Sequence, residues 1–169
     1  IEQMQSSSNI AVVSSNGNKY VFNGSTNYNS NLRYSLAKGT YTFLNVPQNH
    51  PMALLNNNKT NSITYVGDSD KKLTKTVNGT TADGTYDFYY GNITVNVNDN
   101  FGNLSIYCYY HGYMGGENLL TYQSIEGLLY DKYQLDLGHF SNDSMSDDDI
   151  FYTIIVKEYD ENNNETSWN

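Results

Sequence analysis

The sequence feature that most constrains the fold is an alternation of apolar and polar residues with a period of two. β-Branched and aromatic residues alternate with polar ones in the runs KYVFNG, RYSLAKGTYTFLNV, ITVNVN, LSIYCYY, ENLLTY and IFYTIIVKEY. Such alternation is typical of half-buried β-strands, whose side chains point to opposite faces in turn. Clusters of Asn, Gly, Asp and Ser separate the runs and favour turns. The pattern therefore predicts an all-β protein built as an antiparallel sandwich or barrel.

The order of these runs suggests how the chain is organised. A chain of 169 residues is long enough for one well-packed domain, and the runs predict a β-domain over residues 10–123. Residues 1–9, which are rich in Ser and Gln, are expected to form a disordered lead-in. Residues 124–169 are expected to form a C-terminal extension with one further strand, at 150–158, and a frayed polar tail, ENNNETSWN.

Charge and composition argue against several kinds of partner. The formal net charge is −9, with 9 Lys and Arg against 18 Asp and Glu. Nucleic acids and anionic membrane surfaces attract basic proteins, so neither is an expected partner. No apolar run is long enough to cross a membrane, so membrane insertion is not expected. The single cysteine cannot form a disulfide within the chain and leaves the redox compartment open.

The candidate functional site lies in YCYYHGYMGG, residues 107–116. This segment brings Cys108 together with His111 and Met114 in the spacing Cys-x-x-His-x-x-Met. Alternation places Cys108 on the apolar face of a predicted strand, and the glycines after it predict a tight loop. Such a loop can fold His111 and Met114 back towards the Cys108 sulfur. A thiolate, an imidazole and a thioether would then converge at one end of the sandwich.

These donor groups make up most of a known kind of metal site. A thiolate and two imidazoles with a weak axial thioether form the arrangement of mononuclear blue-copper sites. The second imidazole must come from His50 or His139, the only other histidines. His50 is favoured because it follows a predicted strand, where a neighbouring strand can bring it close. A buried cysteine by itself most often packs as a small apolar side chain, so the hypothesis depends on the conjunction of these residues.

Taken together, GTYTFLNVPQNHPM and YCYYHGYMGG resemble the cupredoxin family, and more narrowly the cupredoxin-like domains of surface and virion-associated proteins. The residues that carry the resemblance are a G-x-Y-x-F segment, a His-Pro pair and the closing Y-C-x-x-H-x-x-M-G-G. The resemblance extends over about residues 18–122 and implies that the domain at 10–123 is a Greek-key β-sandwich or barrel of the cupredoxin type. It implies one copper ion with three equatorial ligands and one axial ligand, which are His50, Cys108, His111 and Met114. Pro51 stands where many electron-transfer cupredoxins have an asparagine that braces the ligand loop, which puts the redox potential in question.

Two functions of different classes follow. The resemblance implies a mononuclear type 1 copper protein that transfers single electrons to a redox partner protein or holds copper. The alternative is a structural or adhesive β-sandwich that contacts neighbouring subunits of a surface or virion assembly and has a vestigial or purely structural metal site. With 3 histidines and 1 cysteine, the chain has too few ligands for a multicopper oxidase, and it lacks a nucleophile-elbow motif, so it is not expected to be an enzyme. An extracellular, cell-surface or virion-associated location is expected for either function.

Overall fold

The computed structural model describes residues 1–124, 156–159, 162 and 165–168. Within these residues every regular element is a β-strand, apart from the short 3-10 turn Ser69–Lys71, so the predicted all-β class is confirmed. The same residues contain no helix of the length and apolar character that a membrane span requires. In chain order the strands are β1 (Glu2–Gln3), β2 (Ser7–Asn9), β3 (Ala11–Ser14), β4 (Asn18–Val21), β5 (Tyr34–Leu36), β6 (Gly39–Val46), β7 (Met52–Leu54), β8 (Ile63–Gly67), β9 (Lys72–Val77), β10 (Gly84–Tyr89), β11 (Gly91–Val97), β12 (Asn103–Leu104), β13 (Ile106–Cys108), β14 (Gly112–Tyr113), β15 (Leu120–Tyr122), β16 (Val156–Tyr159) and β17 (Glu165–Trp168).

The strands up to β15 form three larger sheets and one hairpin. The first sheet has the order β1-β5-β15-β12, the five-stranded sheet has the order β14-β13-β7-β10-β9, and the third sheet has the order β2-β6-β11-β8. The hairpin consists of β3 and β4. Most neighbouring strands are antiparallel, but β5 is parallel to both of its neighbours and β2 is parallel to β6.

One hydrophobic cluster joins the three larger sheets. Leu36, Ile106 and Phe43 come from the first, the five-stranded and the third sheet, and none of the three is exposed to solvent. The alternation seen in the sequence has its counterpart in β11, where every second residue from Ile93 to Val97 is buried. Each large apolar side chain buried in this way stabilises the folded state by about 1.5–3 kcal/mol. The core therefore sits between the sheets, as a sandwich or barrel requires.

The five-stranded sheet is covered on both faces. Met52 and Leu54 of β7 point into the main cluster, whereas Ala53 and Leu55 point the other way. The latter two pack with Phe88 in a second cluster, which the tyrosines of β13 and β14 partly cover. A strand buried on both faces has no polar positions to alternate with apolar ones, which is why β7 shows no period of two.

The prediction that residues 1–9 form a disordered lead-in is wrong. β1 and β2 in this segment are edge strands of the first and third sheets. Met4, between them, is 1% exposed, and the buried Ser8 hydroxyl accepts a hydrogen bond of 2.6 Å from the Asn23 main-chain N–H. Strand pairing uses main-chain groups, so a polar sequence can still pair where one apolar side chain anchors it.

The chain divides into two compact units, Ile1–Leu129 and Tyr130–Asn169. In the second unit the described residues form an antiparallel hairpin of β16 and β17. β16 overlaps the strand predicted at 150–158, and β17 lies in the tail that was expected to be frayed, so that expectation is wrong for Glu165–Trp168. The rest of the predicted extension lies outside the described residues, and its boundary at residue 124 stays a prediction.

Replacing Met4 with Ala tests the order of the N-terminal segment. Removal of this buried side chain leaves a cavity, so we expect Met4→Ala to lower the free energy of unfolding by about 2–5 kcal/mol. The control is Gln5→Ala, which changes the adjacent exposed side chain and should alter stability by less than about 0.5 kcal/mol. Urea denaturation of the two variants gives both values. Equal and negligible effects would contradict an ordered N-terminus.

Candidate metal centre

His50 is held by a turn that leads from β6 into β7. The His50 main-chain N–H donates a hydrogen bond of 2.9 Å to the Pro47 carbonyl. Proline restricts the backbone φ at both ends of the segment, at Pro47 and Pro51, so the turn has few alternative conformations. The His50 ring consequently leaves the turn in a defined direction, just before β7, the central strand of the five-stranded sheet.

Cys108 and His111 lie on a single tight hairpin. Cys108 ends β13 and pairs with Gly112 of β14, so only Tyr109–His111 lie between the paired residues. Gly112 has φ +71°, a conformation that glycine adopts without steric cost. The prediction that this loop folds His111 back towards Cys108 is confirmed by the distance between the two side chains. The Cys108 sulfur lies 3.6 Å from His111 Nδ1.

The two ligand segments meet through strand pairing. Cys108 lies opposite Met52, and Tyr109 N–H donates to the Pro51 carbonyl at 3.0 Å. This bond makes Cys108 and Met52 a non-hydrogen-bonded pair, in which side chains approach most closely. His50 and Pro51 directly precede Met52 in the chain. The pairing of Met52 with Cys108 therefore also places His50 near the end of β13.

The donor atoms of His50, Cys108 and His111 lie close to one another. The Cys108 sulfur is 3.8 Å from His50 Nδ1 and 3.6 Å from His111 Nδ1, and the ligand atoms of all three residues lie within 4.8 Å of one another. First-row ions such as zinc bind sulfur at about 2.3 Å and imidazole nitrogen at about 2.0–2.1 Å, which separates the two donors by about 3.6–3.8 Å for tetrahedral to trigonal angles. Each sulfur-to-nitrogen spacing therefore matches a shared ion, and these three residues could hold a metal ion.

The site is closed on its inner side and open on its outer side. Cys108 is 0% and His50 7% exposed, whereas His111 is exposed to solvent. A shallow depression in front of the two imidazoles is lined by apolar and uncharged residues, among them Ala11, Val12 and Pro47. The thiol is thus shielded from water, and one imidazole edge remains accessible from outside.

The structure contains two candidate thioethers. Met114, which the sequence predicted as the axial ligand, is 1% exposed and belongs to the same core cluster as Cys108. Met52 is 0% exposed and, as the residue paired with Cys108, shares its face of the sheet. The sequence placed Met52 near the site but did not suggest it as a ligand, although its position immediately after His50-Pro51 was a signal that it could serve as one. The assignment of Met114 as the axial ligand stays a prediction.

Tyr20 is the other residue that sequence reasoning missed. It lies in β4, is 2% exposed, and its hydroxyl donates a hydrogen bond of 2.6 Å to the His50 carbonyl. Burial raises the pKa of this hydroxyl, and the neighbouring Cys108 side chain raises it further. The phenol therefore stays protonated, as its role as hydrogen-bond donor to the His50 carbonyl requires. His139, the histidine that the sequence disfavoured as a ligand, lies outside the described residues.

No protein-family model matches the chain, and neither a curated protein nor a solved structure is significantly similar to it. The grouping of His50, Cys108 and His111 thus rests on the sequence and the geometry. Among the described residues it is the one group of at least three histidine, cysteine or acidic side chains whose donor atoms could share an ion.

The environment of His50 predicts how the metal-free protein responds to pH. Burial lowers the His50 pKa from its ordinary value of 6.5, and the charge of the neighbouring His111 lowers it further. Between pH 6.5 and the lower folded pKa, the unfolded chain binds a proton that the folded protein does not bind. The free energy of unfolding should therefore fall as the pH drops through this window.

Proton NMR of the imidazole C2 protons measures the effect directly. His50 should titrate below 6.5, and His111→Asn should raise its pKa by removing the like charge while burial keeps it low. His50→Gln supplies the control for stability, since its free energy of unfolding should depend less steeply on pH across the same window. A His50 pKa at or above 6.5 would contradict the described burial.

Proposed function

We propose that this chain is a cupredoxin-like protein that binds one copper ion at His50, Cys108 and His111 and transfers single electrons or holds copper. The observation that carries the proposal is the spacing of 3.8 Å and 3.6 Å from the Cys108 sulfur to the two imidazole nitrogens. Bound copper would supply a one-electron couple between Cu(II) and Cu(I). The chain itself is proposed to catalyse no reaction.

The donor set favours copper over zinc. Structural zinc sites take four strong ligands, usually Cys and His, whereas this cluster supplies one thiolate and two imidazoles. The nearby candidate fourth donors, Met114 and Met52, are thioethers, which suit copper and bind zinc weakly. A hard ion such as calcium or magnesium would need several oxygen ligands.

The residues around the cluster would perform two tasks. The tight hairpin at Gly112 and the turn at Pro47 restrict the backbone that bears the donor atoms, which would limit the rearrangement that accompanies a change of charge on the ion. Burial of Cys108 keeps water from the thiolate. The exposed edge of His111, within an uncharged depression, gives a redox partner protein a short approach to the site.

Titration of the metal-free protein with Cu(II) tests the proposal. We expect an intense visible thiolate-to-copper absorption band that saturates at about one equivalent, the stoichiometry of a mononuclear site. Cys108→Ser should abolish the band, because no other cysteine exists. His50→Gln should weaken binding by about 100-fold or more, since even changes outside the ligand set cost 10–100-fold. His139→Gln is the matched control and should bind as the wild type does.

The absence of a band and of tight binding in the wild-type protein would contradict the copper function. It would leave the alternative of a β-sandwich subunit that uses this fold for contacts in an assembly. Loss of binding in His139→Gln with retention in His50→Gln would show that the second imidazole had been assigned wrongly.

A pair of methionine variants tests the axial ligand. An axial thioether donates weakly to copper and stabilises the oxidised ion, so we expect Met114→Leu to raise the reduction potential and shift the absorption spectrum. Met52→Leu replaces an equally buried methionine and should change only stability, by less than about 1.5 kcal/mol. Redox titration and spectra of both variants give the answer. A changed potential in Met52→Leu with none in Met114→Leu would assign the thioether to Met52.

A further inference from the structure

The proposed ligands lie on two separate segments, and strand pairing joins these segments on one side only. The Tyr109 N–H bond to the Pro51 carbonyl, at 3.0 Å, links the end of β13 to the start of β7. This bond lies at the Cys108 end of the cluster. The His50 peptide follows the turn, and the Met114 backbone follows the hairpin loop. A further hydrogen-bonded link between these two segments is needed if the donor atoms are to keep their spacing.

Tyr20 makes that connection. Its hydroxyl lies 2.6 Å from the His50 carbonyl and 3.4 Å from the Pro51 carbonyl. The Tyr20 main-chain N–H donates a hydrogen bond of 2.9 Å to the Met114 carbonyl. The side chain of one residue therefore binds the first ligand segment while its backbone binds the second.

We propose that Tyr20 is a positioning residue that holds the His50 segment and the Met114 segment at the spacing that a metal ion needs. The proposal rests on the proposed copper function and adds to it a residue from a third part of the chain. Tyr20 acts through its hydrogen bonds to the His50 and Met114 carbonyl groups and is not itself a ligand in this proposal. The β3–β4 hairpin pairs with none of the larger sheets. In this proposal its role is to place Tyr20 next to the site.

The hydrogen bond between Tyr20 and the His50 carbonyl is buried, and its loss is therefore costly. The His50 carbonyl and the Tyr20 hydroxyl are both buried where they meet, so removal of the hydroxyl leaves the carbonyl without this donor. A buried group that loses its hydrogen bond is costly, and the backbone can respond by moving towards another donor. Such a movement at His50 shifts the ring, and a shift of the ring changes the distance from its Nδ1 to the Cys108 sulfur.

The experiment compares Tyr20→Phe with Tyr41→Phe in the full chain. Tyr41, in β6 of the third sheet, is also buried, and its hydroxyl accepts a hydrogen bond of 3.0 Å from the Ala37 N–H. Each variant loses one phenolic oxygen and its main buried hydrogen bond to the backbone, and Tyr20→Phe also loses the longer contact with the Pro51 carbonyl. The two should therefore have similar urea midpoints, and any difference between them at the site is not a general effect of weaker folding.

With Cu(II) as the probe, we expect Tyr20→Phe to bind about 10-fold more weakly or worse, the range found for residues that orient ligands. Its thiolate-to-copper band and its EPR hyperfine splitting should both change. Tyr41→Phe should keep the wild-type affinity and spectra. Unchanged affinity and spectra in Tyr20→Phe, or equal changes in both variants, would overturn the proposal.

A measurement on the metal-free protein separates this proposal from the copper function. NMR relaxation should show increased motion of the His50 ring in Tyr20→Phe but not in Tyr41→Phe, whereas the Met114 segment, which Tyr20 binds through its main chain, should be unchanged in both. If the wild type binds no copper and this difference is seen, the positioning role stands and the copper function fails. If the wild type binds copper and neither the motion nor the spectra change, the copper function stands and the positioning role fails. Rapid solvent exchange of the Tyr20 hydroxyl proton in the wild type would also contradict the described bond.

Discussion

The candidate metal centre depends on the antiparallel pairing of β7 with β13. This pairing sets Cys108 opposite Met52, and because register in a sheet changes in whole residues, a slip by one would turn the Cys108 side chain to the other face. The apolar residues on both faces of β7 prevent such a slip, since it would exchange the members of the two hydrophobic clusters. Core packing and ligand geometry are consequently determined by the same register.

Burial also restricts the position of the Cys108 side chain. A thiol at 0% exposure is surrounded by packed side chains, and a dense interior allows little movement of the strand that bears it. The imidazoles come from the turn before β7 and the loop after β13, where the chain can bend and one ring can face solvent. The cluster thus combines a buried thiol with imidazoles on short connections, and in the proposed copper site the phenol of Tyr20 would hold the His50 turn.

Local features of the site could be predicted from the sequence, and features that depend on distant contacts mostly could not. The spacing of Cys108 and His111 places both on one tight hairpin, since they are three positions apart in the chain and the glycine after His111 allows the turn. His50 was preferred over His139 by its position after a strand, and the structure brings it to Cys108. The order of residues 1–9 was missed because a polar edge strand shows no alternation, and β7 was missed as a strand because it is buried on both faces.

The sequence by itself determined the all-β class, the position of the turns and the types of donor atom, because these follow from side-chain chemistry and from contacts between residues close along the chain. Only the tertiary structure decided that His50, 58 residues before Cys108, lies 3.8 Å from its sulfur, and that Tyr20 reaches the His50 carbonyl from 30 residues away. The physical reason is that strand pairing is mediated by main-chain groups that every residue carries. Which strands pair with each other therefore depends on how the apolar faces of all the strands are buried together. The sequence of a single segment does not contain this information.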